Sequence, residues 1–565
     1  MINKRNGWQV LAQTKKQDIL DAIPQKWRMP NPLPPPSELR DCTGLYIQQY
    51  LTSREVEITE ADAVSITEKT TVGAWSAVEV TEAFCHRAAL AHQMVNCLHE
   101  IFFEEALRTA RELDAYFATH KKPMGSLHGL PISLKDQFHV KGVETTMGYV
   151  GWIGTFEGKP DDPNARSFES ELVKELRSLG AVLFCKTSVP TTLMAGETAN
   201  NIIGYTWNPK NRHLSSGGSS GGEGALIALR GSPAGFGTDI GGSIRVPAAF
   251  NGIFGLRPSA GRLPYEGAAN SMDGQNTILS VVGPMATTAR SLKLLVKAVL
   301  QQEPWNHDPL VLELPWRSSV EEQIQNFTSG DHSQLTFAIM RHDEVVVPHP
   351  PIKRALHSIE EMLREKGHQV IDWCPPSHQI AHAIAKETFE LDGGQDVHTH
   401  LASSGEPQLP QCFVAKTTHM KAAQIAALNI RKRRYQKTYL DYWNSTSKLT
   451  RNGRPVDAII CPTAPHAAVI PGCFRHVGYT SFVNVLDYTS VVIPVTHANE
   501  KIDQLENIGR GHDSNAHWEY DPLVYNGAPV GLQLIGRRLE EEKILCLADY
   551  ISNSLSEVSL AARTS

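Results

Sequence analysis

The chain has 565 residues, 41% of them hydrophobic, and a formal charge of −6 at pH 7, which gives it a sizeable core and argues against nucleic acid as a partner. Nine cysteines, an odd number with no CxxC pair, argue against a disulfide framework or a zinc site and for a reducing, cytoplasmic compartment. The N-terminus lacks the apolar core of a signal peptide, and no run of about 18 apolar residues is present, so no membrane span is expected.

Residues 1–28 read as a polar helix carrying Trp8, Leu11, Ile19 and Leu20, and MPNPLPPPSE (29–38) as an extended proline-rich arm lying over the body. The expected division is an arm over 1–69 and a catalytic domain over 70–560, more helical between 290 and 455. Helical periods follow at 76–95 and 104–119. GLPISLKDQFHV (129–140) reads as a strand entering a loop, with Lys135 and Asp136 at its exit. SFESELVKELRSLG (167–180) reads as a helix capped by Ser167, with Leu172, Val173, Leu176 and Leu179 on one face and Gly180 at its end. AVLFCKT (181–187) is then a buried strand. This alternation, with further strands in 456–465, 490–496 and 527–536 and a last helix over 539–555, predicts an α/β fold with helices on both faces of a sheet.

Several motifs carry less than they suggest. GSSGG (218–222) matches the nucleophile elbow GxSxG around Ser220, but the residues before it read as loop where an elbow needs a strand. HQIAH (378–382) has zinc-helix spacing without HExxH or a nearby third ligand, and reads as a solvent-facing or packing pair. Asn326 and Asn444 match the glycosylation triplet by chance in a chain without a secretory signal. AARTS at the C-terminus is no recognisable targeting signal.

Chemistry concentrates in three segments: Lys135 in PISLKD, GGSSGGEGAL (217–226) and GTDIGGSIR (237–245). A serine hydroxyl is a weak nucleophile until a base takes its proton. These segments contain no histidine, so the available base is a lysine, and burial behind an apolar strand would lower the pKa of Lys135 towards neutrality. Backbone N–H groups of Ile240, Gly241, Gly242 and Ser243 can stabilise an oxyanion, since glycines leave them accessible. SIRVPAAF reads as the first turns of a helix, placing Ser243 at an electropositive N-terminus.

The segment 217–258, together with GLPISLKDQF, GPMATTARSL, CPTAPH and GAPVGLQLIG, resembles the amidase signature family over residues 70–555. The proline-rich arm and VVVPHPPIKRAL (345–356) are similar to its fungal acetamidase-like, or general amidase, branch. EGALIA is shared with the fatty acid amide hydrolase branch. The resemblance implies the amidase signature fold, a large mixed twisted sheet covered by helices. It also implies an amidohydrolase that works through an acyl-serine, without metal or cofactor, with Ser243 as nucleophile, Ser219 as bridging serine after a cis Gly218–Ser219 bond, and Lys135 as base. Asp239 and Arg245 fall on positions that hold the loop, and Leu193 and Met194 on the acyl pocket. Acyl size is expected to depend on 193–204, 265–280 and 475–490. A small-molecule amide is the expected substrate and a homodimer the fold-level expectation. A carbamate or ester hydrolase or a fatty acid amide hydrolase-like enzyme on the same triad, a glutamine-dependent amidotransferase subunit and a non-catalytic scaffold are the alternatives.

Overall fold

The computed structural model describes residues 7–329, 335–505 and 520–564. Among these, the strands in chain order are β1 (Leu98–Ile101), β2 (Pro131–Lys135), β3 (Val182–Thr187), β4 (Ala199–Asn200), β5 (Gly204–Tyr205), β6 (Ala234–Asp239), β7 (Phe254–Arg257), β8 (Val281–Ala286), β9 (Thr336–Ile339), β10 (Gln369–Asp372), β11 (Ala458–Pro462), β12 (Ser490–His497) and β13 (Pro529–Ile535). Eleven of them form one mixed sheet in the order β1-β3-β2-β6-β8-β7-β12-β13-β11-β9-β10, while β4 and β5 pair separately. Every residue of β2, β3 and β6 is buried, as in a sheet covered on both faces. β2 runs parallel to both β3 and β6, so Lys135 and Asp239 end neighbouring strands at the same edge. Open α/β sheets hold their ligands at such carboxyl ends.

The N-terminal helix runs Gly7–Asp21; residues 1–6 of the expected helix lie outside the described residues, and it stops short of residue 28. Its Lys15 is buried against the body, 2.5 Å from Glu100 and 2.9 Å from Glu144. The arm over 29–38 has no regular structure and is tied down by Arg212, which donates to the carbonyl of Pro34 at 2.7 Å. Helices Ala77–Val95, capped by Ser76, and Phe103–His120 follow the expected periods. Between 290 and 455 lie helices Ser318–Ser329, Pro350–Glu365, His378–Phe389, Gln395–Ser404 and Ala422–Ser445, of which Pro350–Glu365 packs on β10. The last helix, Glu541–Thr564, outruns its expected end at 555; Ser565 of the AARTS tail lies outside the described residues. His378 stacks on Phe482 at 4.2 Å between ring centroids, so the first histidine of HQIAH is a packing residue.

The helix expected over 167–180 starts later than its sequence suggests. It spans Glu171–Ser178, and Ser167 does not cap it. The chain from 164 to 168 is instead a turn closed on the carbonyl of Asn164, and the Ser167 hydroxyl donates to the carbonyl of Pro163 at 2.8 Å. Ser170 holds the capping position, but its hydroxyl is drawn to the carbonyl of Gly267 (2.7 Å). Leu172, Val173, Leu176 and Leu179 face the core as their spacing requires.

The same helix buries Glu175 to 4% exposure, and neither carboxylate oxygen has a hydrogen-bond partner among the described residues. Burial pushes its carboxyl up to about 8 from 4.5, with the charges of Glu171 and Asp308 adding to the effect. The folded protein therefore holds a proton that the unfolded chain releases, and stability falls as pH rises from about 4.5 to about 8. Glu175→Gln should leave thermal stability unchanged near pH 4.5 and raise it at pH 8, by up to about 4 kcal/mol at about 1.4 kcal/mol per pKa unit. Melting curves at the two pH values check this, and equal shifts at both would refute it.

Candidate active site

Lys135 is the last residue of β2 and is fully buried. Its Nζ lies 2.8 Å from Ser219 Oγ and 2.7 Å from Thr238 Oγ1, and among the described residues it has no carboxylate within ion-pair distance. Burial lowers its pKa from 10.5 to about 7, against the pull of the more distant Asp239 and Glu223. The adjacent carboxylate, Asp136, is engaged elsewhere. It lies 3.1 Å from Lys186 Nζ and accepts from the N–H groups of Thr146 and Met147. Burial opposes its ionisation, but Lys186 and His99 hold the carboxyl down at about 2.

Ser219 is nearly fully buried and follows a cis Gly218–Ser219 peptide. The next residue, Ser220, begins helix Gly221–Ala228 and donates its backbone N–H to the carbonyl of Ser243 at 3.1 Å, which links the two serine segments. Glu223 of this helix is buried between Ser133 and Thr187, whose hydroxyls both donate to it. Burial pushes its carboxyl up to about 7, and those donors and Lys135 act against the rise.

Asp239 ends β6 and organises the next turn. One carboxylate oxygen accepts from Gly242 N–H (2.9 Å) and the other from Ile244 N–H (3.2 Å). Arg245 grips both oxygens at 3.0 Å and continues to Asn484, Gln533 and the carbonyl of Thr480. All of Asp239 and Arg245 is buried; burial opposes the Asp239 charge, but Arg245 and Asn484 hold its carboxyl well below the usual range. Gly242 has φ +134°, and a Cβ there would lie 2.4 Å from Thr480 Oγ1, so the turn requires glycine.

This corrects one detail of the sequence reading. Helix Arg245–Asn251 starts two residues after Ser243, and its first free N–H groups already serve Asp239. Gly242 N–H is likewise directed at Asp239. Ile240, Gly241 and Ser243 are the members of the expected oxyanion set that this carboxylate does not take.

Ser243, Ile240, Gly241, Gly242, Leu193 and Met194 all line one cavity of about 380 Å³. Ser219 sits behind it, with Gly218 at the wall. Ser243 is partly exposed, and its hydroxyl makes no hydrogen bond to Ser219 among the described contacts. Thr192 and Leu193 hold φ of +79° and +63°, strained for non-glycine residues and typical of functional loops. Ser271 fixes this loop by donating to the carbonyl of Thr192 at 2.6 Å. Of the regions expected to set acyl size, 193–196, Arg475 and Val477 line the cavity, whereas Ser271 of 265–280 supports it from behind. The aromatic wall of Phe389, Phe413 and Phe474 was missed, as were Thr238 and Gln137 beside Lys135. Thr238 was within reach, since it stands one residue before Asp239 on a buried strand. Nothing local in the sequence marks the phenylalanines.

A model of the Amidase family matches residues 79–545. An acetamidase of Aspergillus oryzae is 47% identical over 557 residues, covering 97% of this chain and 99% of the relative. An acetamidase of Emericella nidulans is 44% identical, covering 98% and 99%. Among solved structures, a fatty acid amide hydrolase superposes with a TM-score of 0.88 at 34% identity, over 98% of this chain and 96% of that one. A buried lysine bonded to a serine beside a cis Gly–Ser peptide lies within the matched span, and by these likenesses the chain belongs to the amidase family, whose signature its glycine- and serine-rich segment resembles.

Proposed function

We propose that this amidase cleaves carboxylic amides through an acyl-serine on Ser243, with Ser219 as proton relay and Lys135 as base. One observation carries the reading: a fully buried lysine with no ion pair among the described residues, held against a serine hydroxyl at 2.8 Å. Such an amine is costly to keep charged, and with a pKa of about 7 it is a base poised for neutral pH. In the forward step Lys135 Nζ takes the Ser219 proton, and Ser219 Oγ takes that of Ser243. Ser243 Oγ adds to the amide carbonyl. Ile240, Gly241 and Ser243 N–H groups receive the oxyanion, while Gly242 N–H anchors the loop to Asp239. Collapse breaks the C–N bond, the relay returns the proton to nitrogen, and ammonia or an amine leaves. Water then attacks the acyl-serine by the same relay, releasing the acid and restoring Ser243 O–H.

The cavity supports a substrate larger than acetamide, although the relatives are called acetamidases. Its volume falls in the range of about 300–1,000 Å³ usual for drug-sized ligands. Its Met194, Phe389, Phe413 and Phe474 suit an apolar or aryl acyl group. A reducing cytoplasmic compartment, which an odd number of cysteines with no CxxC pair suits, and a homodimer complete the proposal, as does the division into an arm over 1–69 and a catalytic domain over 70–560.

Ser243→Ala should reduce kcat by at least about 10³-fold with the melting temperature retained; turnover near the wild-type level would refute the nucleophile. Because Lys135 must be neutral to act, kcat/KM should fall about tenfold per pH unit below about 7 and level off above it. Lys135→Ala should remove most of the activity together with that limb, and a limb unchanged in the variant would assign it to another group. Across linear amides kcat/KM should rise about fourfold for each added methylene until the cavity is full, from about 0.8 kcal/mol per buried CH₂. Rates that peak at acetamide would contradict the substrate class.

A further inference from the structure

Gln137 is fully buried two residues beyond Lys135, and its side-chain hydrogen bonds among the described residues go to neither serine. Its side-chain N–H groups donate to the carbonyl of Ala269 (2.9 Å) and to Tyr265 OH (3.1 Å). A carbonyl can only accept, so Ala269 fixes which end of the amide is nitrogen. The amide oxygen therefore faces Thr238 and accepts its hydroxyl hydrogen at 2.5 Å. Thr238 has one such hydrogen, so towards Lys135 it can act only as an acceptor, and it takes one Lys135 N–H at 2.7 Å. A neutral amine has a single lone pair. With Thr238 unable to donate to it, the other close hydroxyl, Ser219 at 2.8 Å, is the group that can.

We propose that Gln137 is a positioning residue that, through Thr238, reserves the lone pair of Lys135 for the proton of Ser219. Without the Gln137 acceptor, Thr238 is free to turn its hydrogen onto the amine and compete with Ser219. The proposal rests on Lys135 acting as the base. The charged groups around that amine are Asp239 at the end of β6, Glu223 on helix Gly221–Ala228, and Asp136 beside it, paired with Lys186 of β3. Substituting Gln137 changes none of these. Tyr265, against the Gln137 amide, is the remaining titratable neighbour.

The test is the pH profile of the full chain carrying Gln137→Met. A Thr238 hydrogen bond to the lone pair stabilises the neutral amine. The plateau of kcat should therefore fall about 10- to 100-fold with KM within about twofold, and the acid limb should move to lower pH. In a Thr238→Val background the same substitution should change kcat less than about twofold, because the competing hydroxyl is gone. Gln137→Glu keeps an oxygen facing Thr238 and should retain the plateau within about threefold, with its limb at or above that of the wild type. It carries the test alone if the Met variant does not fold. A plateau and limb unchanged in Gln137→Met, a loss of equal size in the Thr238→Val background, or a Glu variant as impaired as Met is expected to be would each overturn the proposal. Full turnover by Ser243→Ala would instead defeat the underlying triad, so the two failures are distinguishable.

Discussion

The site depends on one constraint: an amine carried to the end of β2 and kept from water, with no carboxylate to pair with among the described residues. A partner carboxylate would stabilise the ammonium and raise its pKa, and a solvated position would leave it near 10.5. Here the adjacent Asp136 is neutralised by Lys186, and Asp239 is gripped by Arg245. Glu223, the third acid behind the sheet, is itself pushed up to about 7 by burial. Two of the three acids are thus paired with other cations and the third is held by the hydroxyls of Ser133 and Thr187, which leaves Lys135 with two hydroxyls of its own.

Asp239 and Arg245 convert the end of a neighbouring strand into a rigid cradle. Each Asp239 oxygen takes a backbone N–H from the turn, and Arg245 ties the same carboxylate to Asn484, Gln533 and Thr480. Loss of one partner would leave a buried charge exposed to a low-dielectric interior. The pair holds Gly241 and Gly242 where a cavity opens onto their backbone, and so joins the central sheet to the reacting centre.

Much of this was legible in the sequence because it is local. The strand before Lys135, the glycine-rich turn before Ser243 and the serine run around Ser219 each carry their meaning within about ten residues. The α/β class followed from the alternation of helix and strand. What was not legible depends on distant pairing. A Ser170 hydroxyl drawn from its helix end to the carbonyl of Gly267, or a Thr238 hydroxyl turned to Gln137, is decided by geometry that no short window contains. The aromatic wall gathers Phe389, Phe413 and Phe474 from separated segments, each ordinary core by its own pattern. Gln137 shows the same limit, since its importance comes from which way a neighbouring hydroxyl points.

The most direct measurement is the ionisation of Lys135 itself. Lysine labelled with ¹³C at Cε, with the Lys135 signal identified by its loss in Lys135→Ala, can be followed by NMR across the pH range. A resonance that titrates near pH 7 is the expected result. A resonance that stays in the ammonium position to about 10.5 would contradict a neutral amine as the base.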